Sequence, residues 1–246
     1  MITSASNPRL KLVRKLASRR RREQLGLFVC EGEDLVEAGL ASGAEPVEML
    51  VAGETVEPEL LAELSTLAHP PRVIAVFRRA DLPRLDRAAP PAGLALWRVG
   101  DPGNVGTLVR AADGLGPAFV ALSAGCADPT GPKAMRASMG AIFRVPLGRF
   151  DEAAGSRIAL VPAGGDPIQE VELDGPVTFV LGSEREGLPE DVAAGCERAA
   201  SIPLAPGSES LNVALAGAIA LYELKRRRSV DRRTSVTQTA GRGQIP

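Results

Sequence analysis

The second half of the chain alternates short apolar runs with stretches of helical periodicity, and this alternation constrains the fold more than any other feature. The runs "LALWRVG", "AFVALSAG", "RIALVPAGG" and "VTFVLGS" alternate with the helical patterns "NVGTLVRAADGLG", "PKAMRASMGAIF" and "SLNVALAGAIALYELKRRR". Short strands that are apolar on both faces are typical of a mostly parallel sheet covered by helices on both sides. We therefore expect an α/β domain here.

The first half shows a shorter version of the same pattern. "LFVCEG", "VEMLVAG" and "RVIAVF" predict strands, "EDLVEAGLASG" and "EPELLAELSTLA" predict helices, and residues 7–23 predict a basic helix. Residues 78–93 are then rich in Arg, Pro and Ala and show no periodicity, which favours a domain boundary. We expect a smaller α/β domain over residues 1–88, a larger one over 89–228, and a disordered tail over 229–246.

The charges are unevenly distributed although the net charge is −1. Residues 1–28 carry eight Lys and Arg against one Glu, and residues 225–246 carry seven against one Asp, so the segment between them is strongly acidic. Basic ends favour a polyanionic partner such as RNA, and a solvated basic face is the alternative.

Composition limits the remaining possibilities. The three cysteines have neither disulfide nor zinc-site spacing, so we expect a protein of the reducing cytoplasm without a metal. The start lacks the apolar core of a signal peptide, and no uninterrupted apolar segment reaches eighteen residues, so we expect neither secretion nor a membrane span.

Three motifs carry candidate functional residues, and the first is "VGDPGNVGTLVRAADGLG". Its glycines follow a strand and open a helix, where a ligand can approach the backbone. The spacing G-x-x-G-x-x-G and the neighbouring Asp101 argue against a dinucleotide site. Asn104 and Arg110 are six residues apart, so both side chains can project from one side of the helix start. The alternative is that Asn104 caps the helix and Arg110 is a surface charge.

The second motif, "FVLGSEREGLPEDV", follows a buried strand directly with Gly-Ser-Glu. Glu184 is thereby held at the carboxyl end of the sheet, where open α/β folds bind ligands. An ordinary ion pair with Arg185 or Arg198 is the alternative. A nucleophilic Ser183 is disfavoured, because the single histidine, His69, lies in the other half of the chain.

The third motif, "SIPLAPGSESLNVALAGAIALYEL", begins a helix that is apolar on nearly every side. Ser210 is expected to cap the helix, with Asn212 in its first turn, where a hydroxyl and an amide at the positive helix end can bind a polar ligand. Small residues follow, so other chain segments can pack closely, and a helix that is apolar all round must be buried all round.

Taken together, the three motifs closely resemble the signature motifs of the SpoU (TrmH-like) RNA ribose methyltransferases. The resemblance covers roughly residues 94–226, and the segment "DPTGPKAMRASMGAIFRVP" is similar to the family's connecting segment. The N-terminal part is similar to the ribosomal-protein-like substrate-binding domain that many members carry.

The resemblance implies a trefoil-knotted (SPOUT) parallel-sheet domain, a homodimer and bound S-adenosylmethionine. It implies an enzyme that transfers a methyl group to a ribose 2′-hydroxyl. By motif position, the implied catalytic residues are Asn104, Arg110, Glu184, Ser210 and Asn212. The implied cofactor-binding residues, which act largely through backbone groups, are Gly182, Ile202 and Leu211.

Physical chemistry narrows the roles implied for these residues. An arginine is almost never neutral at pH 7, so Arg110 is better suited to stabilise a developing alkoxide than to act as a base. Glu184 is expected to hold the Arg110 guanidinium, and Ser210 and Asn212 are expected to position the ribose or the cofactor.

The N-terminal domain favours ribosomal RNA over transfer RNA as the substrate. The alternatives are a transfer RNA 2′-O-methyltransferase, a base methyltransferase of the same fold, and a non-catalytic RNA-binding ribosome-assembly protein.

Overall fold

The first part of the fold is a three-stranded antiparallel sheet with four helices. A computed structural model describes residues 1–86 and 88–240, and for residues 231–240 it describes the backbone alone. The helices are α1 (Pro8–Lys15), α2 (Arg19–Leu25), α3 (Glu33–Ala41) and α4 (Pro58–Ala62). The strands are β1 (Leu27–Glu31), β2 (Glu48–Val51) and β3 (Val73–Arg78), in the order β1-β3-β2.

The single basic helix predicted over residues 7–23 is two helices in the structure. The reason is Arg22, which is 5% exposed. Its Nη1 donates hydrogen bonds to the carbonyls of Leu16 and Ala17, at 2.8 and 2.9 Å. Carbonyls at the end of a helix have no partner within it, so this buried guanidinium stabilises the end of α1, and α2 begins at Arg19.

The second part is a seven-stranded sheet covered by helices. Its strands are β4 (Ala92–Leu96), β5 (Phe119–Leu122), β6 (Leu147–Arg149), β7 (Ser156–Leu160), β8 (Asp166–Pro167), β9 (Val177–Leu181) and β10 (Arg198–Ser201). Its helices are α5 (Pro102–Leu115), α6 (Pro132–Ser138), α7 (Glu190–Ala194) and α8 (Val213–Ala240). Short 3-10 turns lie at Arg79–Asp81, Ala141–Phe143 and Phe150–Glu152.

All neighbouring strands of this sheet are parallel, in the order β6-β5-β4-β9-β7-β10-β8. From β4 the chain moves outward on one side through β5 and β6, and the later strands lie on the other side. The direction of winding therefore changes between β4 and β9. In open α/β sheets such a point leaves a crevice at the carboxyl ends of the strands, where ligands bind.

The predicted parallel-sheet α/β domain with a smaller domain before it is confirmed. The four apolar runs of the second half overlap with β4, β5, β7 and β9, whereas the sequence did not predict the short strands β6, β8 and β10. The predicted boundary at residues 88 and 89 falls between β3 and β4. Helix α8 runs past Arg228 to Ala240, whereas a disordered tail was predicted from residue 229; residues 241–246 lie outside the described part of the chain.

The two parts share one hydrophobic core. Phe28 of β1 and Phe77 of β3 pack against Phe143, which belongs to the second part, with ring centroids 5.9 and 5.4 Å from that ring. Beside them, Arg22 forms an ion pair with Asp128 at 2.9 Å, and both side chains are 5% exposed or less. The smaller sheet is therefore fixed against the segment that contains Asp128 and Phe143.

Candidate active site

The start of α8 is capped by Asn212, and this corrects the prediction that Ser210 caps it with Asn212 in the first turn. The Asn212 Oδ1 accepts hydrogen bonds from the backbone N–H groups of Ala214 and Leu215, at 2.9 and 3.3 Å. Asparagine and serine are about equally good caps, so local preference did not decide between them. The Ser210 hydroxyl has no hydrogen-bond partner within the described residues.

The start of α5 is capped by Asp101, so the alternative in which Asn104 caps this helix is wrong. The Asp101 carboxylate accepts from the backbone N–H of Asn104 at 3.0 Å and from Lys133 Nζ at 2.7 Å. The hydrogen bond from Lys133, aided by the backbone N–H, lowers the pKa of Asp101. The Asn104 side chain is thus left available for other contacts.

The Asn104 amide links the three motifs. Its Nδ2 donates to Glu184 Oε1 at 2.7 Å, and its Oδ1 accepts from Asn212 Nδ2 at 3.0 Å. The amide orientations follow from the helix cap: the Asn212 oxygen faces the N–H groups of α8, so its nitrogen faces Asn104. A polarised chain of hydrogen bonds therefore runs from the start of α8 to the Glu184 carboxylate.

Glu184 lies in a tight turn after β9. Ser183 and Gly187 exchange backbone hydrogen bonds of 3.1 and 3.0 Å across this turn. A Cβ at Gly182 would lie 2.1 Å from the carbonyl carbon of Gly187, so only glycine fits there. The turn projects Glu184 from the carboxyl end of β9, as predicted. The alternative ion pair with Arg198 is not formed, because Arg198 pairs with Glu172 at 2.8 Å.

A cavity of about 590 Å³ opens beside this network. It lies at the carboxyl ends of β7, β9 and β10 and at the start of α8. Six predicted site residues line it, namely Gly182, Glu184, Ile202, Ser210, Leu211 and Asn212. Asn104 and Arg110 are not among the lining residues, although Asn104 contacts two that are.

Arg110 is placed differently from the other predicted residues. It lies on α5, and its exposed side chain forms no hydrogen bond or ion pair with any described residue. The expected contact between Arg110 and Glu184 is therefore not made, because Asn104, nearer the start of α5, donates to Glu184 instead. The chain brings together four of the five predicted catalytic residues and leaves the Arg110 side chain without a described partner.

Sequence reasoning missed part of the cavity wall. Leu160 ends β7, and Val161 and Pro162 follow it. Leu204, Arg185 and Glu209 belong to the two loops already recognised. The strand "RIALV" was predicted, so its carboxyl end was a signal for the first three residues. The cavity thus has an apolar side formed by leucines and a polar rim of carboxylate, guanidinium, hydroxyl and amide groups. Such a surface suits a small ligand with an apolar part and a polar or charged end.

The cavity and the polarised network, at the carboxyl edge of a parallel sheet beside its change of winding, define an α/β protein with a small-molecule site. The chain belongs to the SpoU rRNA Methylase family, which residues 91–222 match. Residues 7–80 match the MRM3-like substrate binding domain. The resemblance based on the three motifs is thereby confirmed.

Relatives and solved structures agree with this assignment. The chain is 33% identical to an uncharacterized tRNA/rRNA methyltransferase of Synechocystis, over 92% of this chain and 93% of that protein. It is 30% identical to the 23S rRNA (guanosine(2553)-2′-O)-methyltransferase of Bacillus subtilis, over 91% of this chain and 98% of that protein. Its fold is similar to that of an rRNA methyltransferase of Sinorhizobium meliloti crystallised with AdoMet, with a TM-score of 0.81 and 28% sequence identity. The match covers 92% of this chain and 97% of that chain.

Neither a membrane-spanning helix nor a metal-binding cluster is present among residues 1–86 and 88–240. No helix there is long and apolar enough to cross a membrane. Within the same residues, no cluster of three or more His, Cys, Asp or Glu side chains could hold a metal ion.

Proposed function

We propose that the protein is an S-adenosylmethionine-dependent methyltransferase that acts on a ribose 2′-hydroxyl of ribosomal RNA. The contacts that join Asn104 of the first motif to Glu184 and Asn212, which line one cavity, carry this proposal. The Bacillus subtilis relative is named for this reaction on 23S rRNA, and the Sinorhizobium meliloti structure holds AdoMet. The match of residues 7–80 to a substrate-binding domain also supports an RNA substrate.

The cavity suits the cofactor in size and chemistry. Its volume falls within the range of about 300–1,000 Å³ typical of small-molecule sites. Gly182, Ile202 and Leu211 would hold the cofactor through their backbone groups. Glu209 and Ser210 are placed at the polar side of the cavity. When bound, the cofactor supplies an electrophilic sulfonium methyl group.

The protein's own groups orient the ribose and stabilise charge. With the cofactor bound, its methyl group would pass from sulfur to the 2′-hydroxyl oxygen, whose proton would be released to solvent water. The Arg110 guanidinium stabilises the negative charge that would develop on this oxygen. The Asn104 amide fixes the Glu184 carboxylate at the cavity rim, and Ser210 offers a free hydroxyl for the ribose or the cofactor.

We also propose that the working form is a cytoplasmic homodimer with a trefoil knot. Leu215, Ile219 and Tyr222 of α8 are 55%, 38% and 57% exposed, and their spacing puts them on one helix face. This supports an interface through α8, which would also let one protomer supply Arg110 to its partner's cavity. Membership of the SpoU family, whose fold the resemblance describes as knotted, supports the knot. The three unpaired cysteines suit a reducing compartment.

Mass spectrometry of the product nucleosides tests the reaction. Purified protein, methyl-labelled cofactor and RNA from cells lacking the gene should give 2′-O-methylated nucleosides only. The Arg110→Ala variant should lose at least 10²-fold in rate while its cofactor affinity, measured by calorimetry, stays within about twofold. Arg149→Ala, which alters an exposed arginine of β6, is the control.

Each alternative predicts a different result. A label on the bases would indicate a base methyltransferase, and a label in transfer RNA would change the substrate. An absence of cofactor binding by the wild-type protein would support a non-catalytic ribosome-assembly protein. Full activity of the Arg110→Ala variant would refute the role given to that residue.

A further inference from the structure

Arg98 lies directly beyond β4 in a backbone conformation that side chains seldom adopt. Its φ is +53°, one of two positive values at non-glycine residues in the described chain. Asn and Gly occupy this region much more readily than arginine does. The Arg98 side chain is exposed and has no hydrogen-bond or ion-pair partner among the described residues. The fold therefore holds an unpaired guanidinium at this point without gaining a contact from its charged group.

The loops around Arg98 fix it beside the candidate active site. The Arg98 N–H donates to Ser123 Oγ at 2.9 Å, in the loop after β5. The neighbouring Trp97 N–H donates to the carbonyl of Leu181, the last residue of β9, at 2.8 Å. Glu184 follows three residues later. Because adjacent strands lie about 4.8 Å apart, the loop of Arg98 is next to the loop of Glu184 on the same edge of the sheet.

On its other side, Arg98 adjoins the basic N-terminal helices. The loop after β5 contacts the Arg98 side chain at Gly125. A Cβ built on Gly125 would lie 3.4 Å from Arg98 Cγ. The next residue, Cys126, accepts a hydrogen bond from Arg19 of α2 at 2.9 Å through its carbonyl. Along the carboxyl edge of the sheet, α2 is therefore followed by Arg98, and Arg98 is followed by Glu184 and the cavity.

Only some cations of the N-terminal helices remain available for a ligand. Arg9 pairs with Glu48, Arg19 pairs with Glu23, and Arg22 is buried against Asp128. Lys11, Lys15 and Arg20 are exposed and have no described partner. The unpaired positive charges of the described residues therefore include these three residues and Arg98.

We propose that Arg98 binds a backbone phosphate of the RNA next to the ribose that is methylated. In this arrangement Lys11, Lys15 and Arg20 hold more distant phosphates, and Arg98 binds the phosphate beside the loop of Glu184. Phosphate contacts of this kind fix the position of a nucleic acid without reading its bases, so Arg98 sets which ribose reaches the site. This inference rests on the proposed function, because it assumes that RNA approaches the carboxyl edge of the sheet.

Two substitutions at Arg98 test the inference. Arg98→Asn removes the charge and suits the left-handed backbone, whereas Arg98→Lys keeps the charge but not the forked geometry. We expect Arg98→Asn to raise the KM for ribosomal RNA about tenfold, since it removes a charge-assisted contact, and Arg98→Lys to raise it less. Cofactor affinity, measured by calorimetry, should not change. The slope of log Kd against log salt, measured with a fluorescein-labelled single-stranded RNA, should fall by about 0.7 for Arg98→Asn.

Arg84 provides a matched control. It is exposed, has no described side-chain partner, and forms a bridge with Leu147, the first residue of β6, so it lies at the amino end of the sheet. Arg84→Asn should change neither the KM for RNA nor the salt slope.

The possible outcomes separate this inference from the proposed function. If the wild-type protein transfers methyl groups to ribose and Arg98→Asn leaves KM and salt slope at wild-type values, the role of Arg98 is refuted alone. An equal effect of Arg84→Asn would also refute it. If the wild-type protein transfers no methyl group to RNA, the proposed function fails, and the salt slope of RNA binding still decides whether Arg98 contacts a phosphate.

Discussion

Asn104 joins segments that lie 80 and 108 residues away along the chain. Its amide donates to Glu184 and accepts from Asn212, so it needs both a donor and an acceptor in one planar group. Asparagine is therefore suited to this position and aspartate is not, although the two have the same shape. The residue is expected to act by positioning Glu184, since it does not line the cavity.

Asn104→Asp tests this role through its pH dependence. The new carboxylate would face Glu184 at hydrogen-bond distance, and the like charges raise the pKa of one of the two groups. At a pH above that pKa the two carboxylates repel each other, and the methyl-transfer rate should fall about 10²-fold. When the pH is lowered below that pKa, a proton shared by the two carboxylates restores their contact and part of the methyl-transfer rate.

Asn104→Ala serves as the reference for this experiment. It removes both hydrogen bonds without adding a charge, so its loss of activity should not recover at lower pH. Relative rates from pH 6 to pH 9, each divided by the wild-type rate, are the measurement. Parallel profiles for the two variants would contradict the proposed contact between Asn104 and Glu184.

At the scale of single elements, the packing of α5 on α6 requires close backbone approach. A Cβ on Gly106 would lie 2.3 Å from the carbonyl oxygen of Ala134 and 2.7 Å from the Cβ of Ala137. We expect Gly106→Ala to lower the free energy of unfolding by about 1–3 kcal/mol, because the added methyl group forces the helices apart. Urea denaturation gives this value.

Gly114, in the same helix, provides the opposite case. No atom lies within 4 Å of a Cβ built there, so Gly114→Ala should raise the free energy of unfolding by about 0.5–1 kcal/mol. Equal effects of the two substitutions would mean that helix propensity, and not the contact with α6, determines the stability of α5.

The helices and apolar strands were predictable because their patterns repeat over several residues. The two-residue strand β8 has no such pattern and is defined only by its neighbour β10. The cap of α8 was assigned to Ser210 because serine and asparagine have similar local preferences; the contact between Asn212 and Asn104, 108 residues away, distinguishes them. Likewise, Arg22 belongs to a run of four arginines, and its burial depends on Asp128, 106 residues away.

At the scale of the whole molecule, the ion pair between Arg22 and Asp128 joins the two parts of the chain. Burial tends to raise the pKa of Asp128, but hydrogen bonds from Thr130 and the charges of Arg79 and Arg22 outweigh this effect and lower it. A carboxylate with a lowered pKa stabilises the fold above its ordinary value near 4, and this contribution is lost as the pH falls through the lowered pKa.

Asp128→Asn removes this contribution. Because it leaves the Arg22 charge buried without its counterion, we expect it to lower the free energy of unfolding at pH 7 by about 3 kcal/mol. The difference from the wild type should shrink as the pH falls below about 4. Glu172→Gln, which removes an exposed ion pair with Arg198, should have little effect at either pH. A loss of stability that is the same at pH 7 and pH 3 would contradict this assignment.

The exposed apolar face of α8 gives a prediction about assembly. Placing a charge there with Leu215→Asp or Tyr222→Asp should convert the expected dimer to a monomer, because a charge is costly in an apolar interface. Light scattering after size exclusion measures the mass, and Met139→Asp, at an exposed methionine elsewhere, is the control. A wild-type protein that elutes as a monomer would refute the proposed homodimer.

The central claim is that the protein methylates a ribose of ribosomal RNA, and mapping 2′-O-methylation in cells with and without the gene tests it most directly. We predict that deletion removes the methyl group from a ribosomal RNA nucleotide. The wild-type gene should restore it, and the Arg110→Ala variant should not. Ribosomal RNA with the same ribose methylation in both strains would contradict the claim.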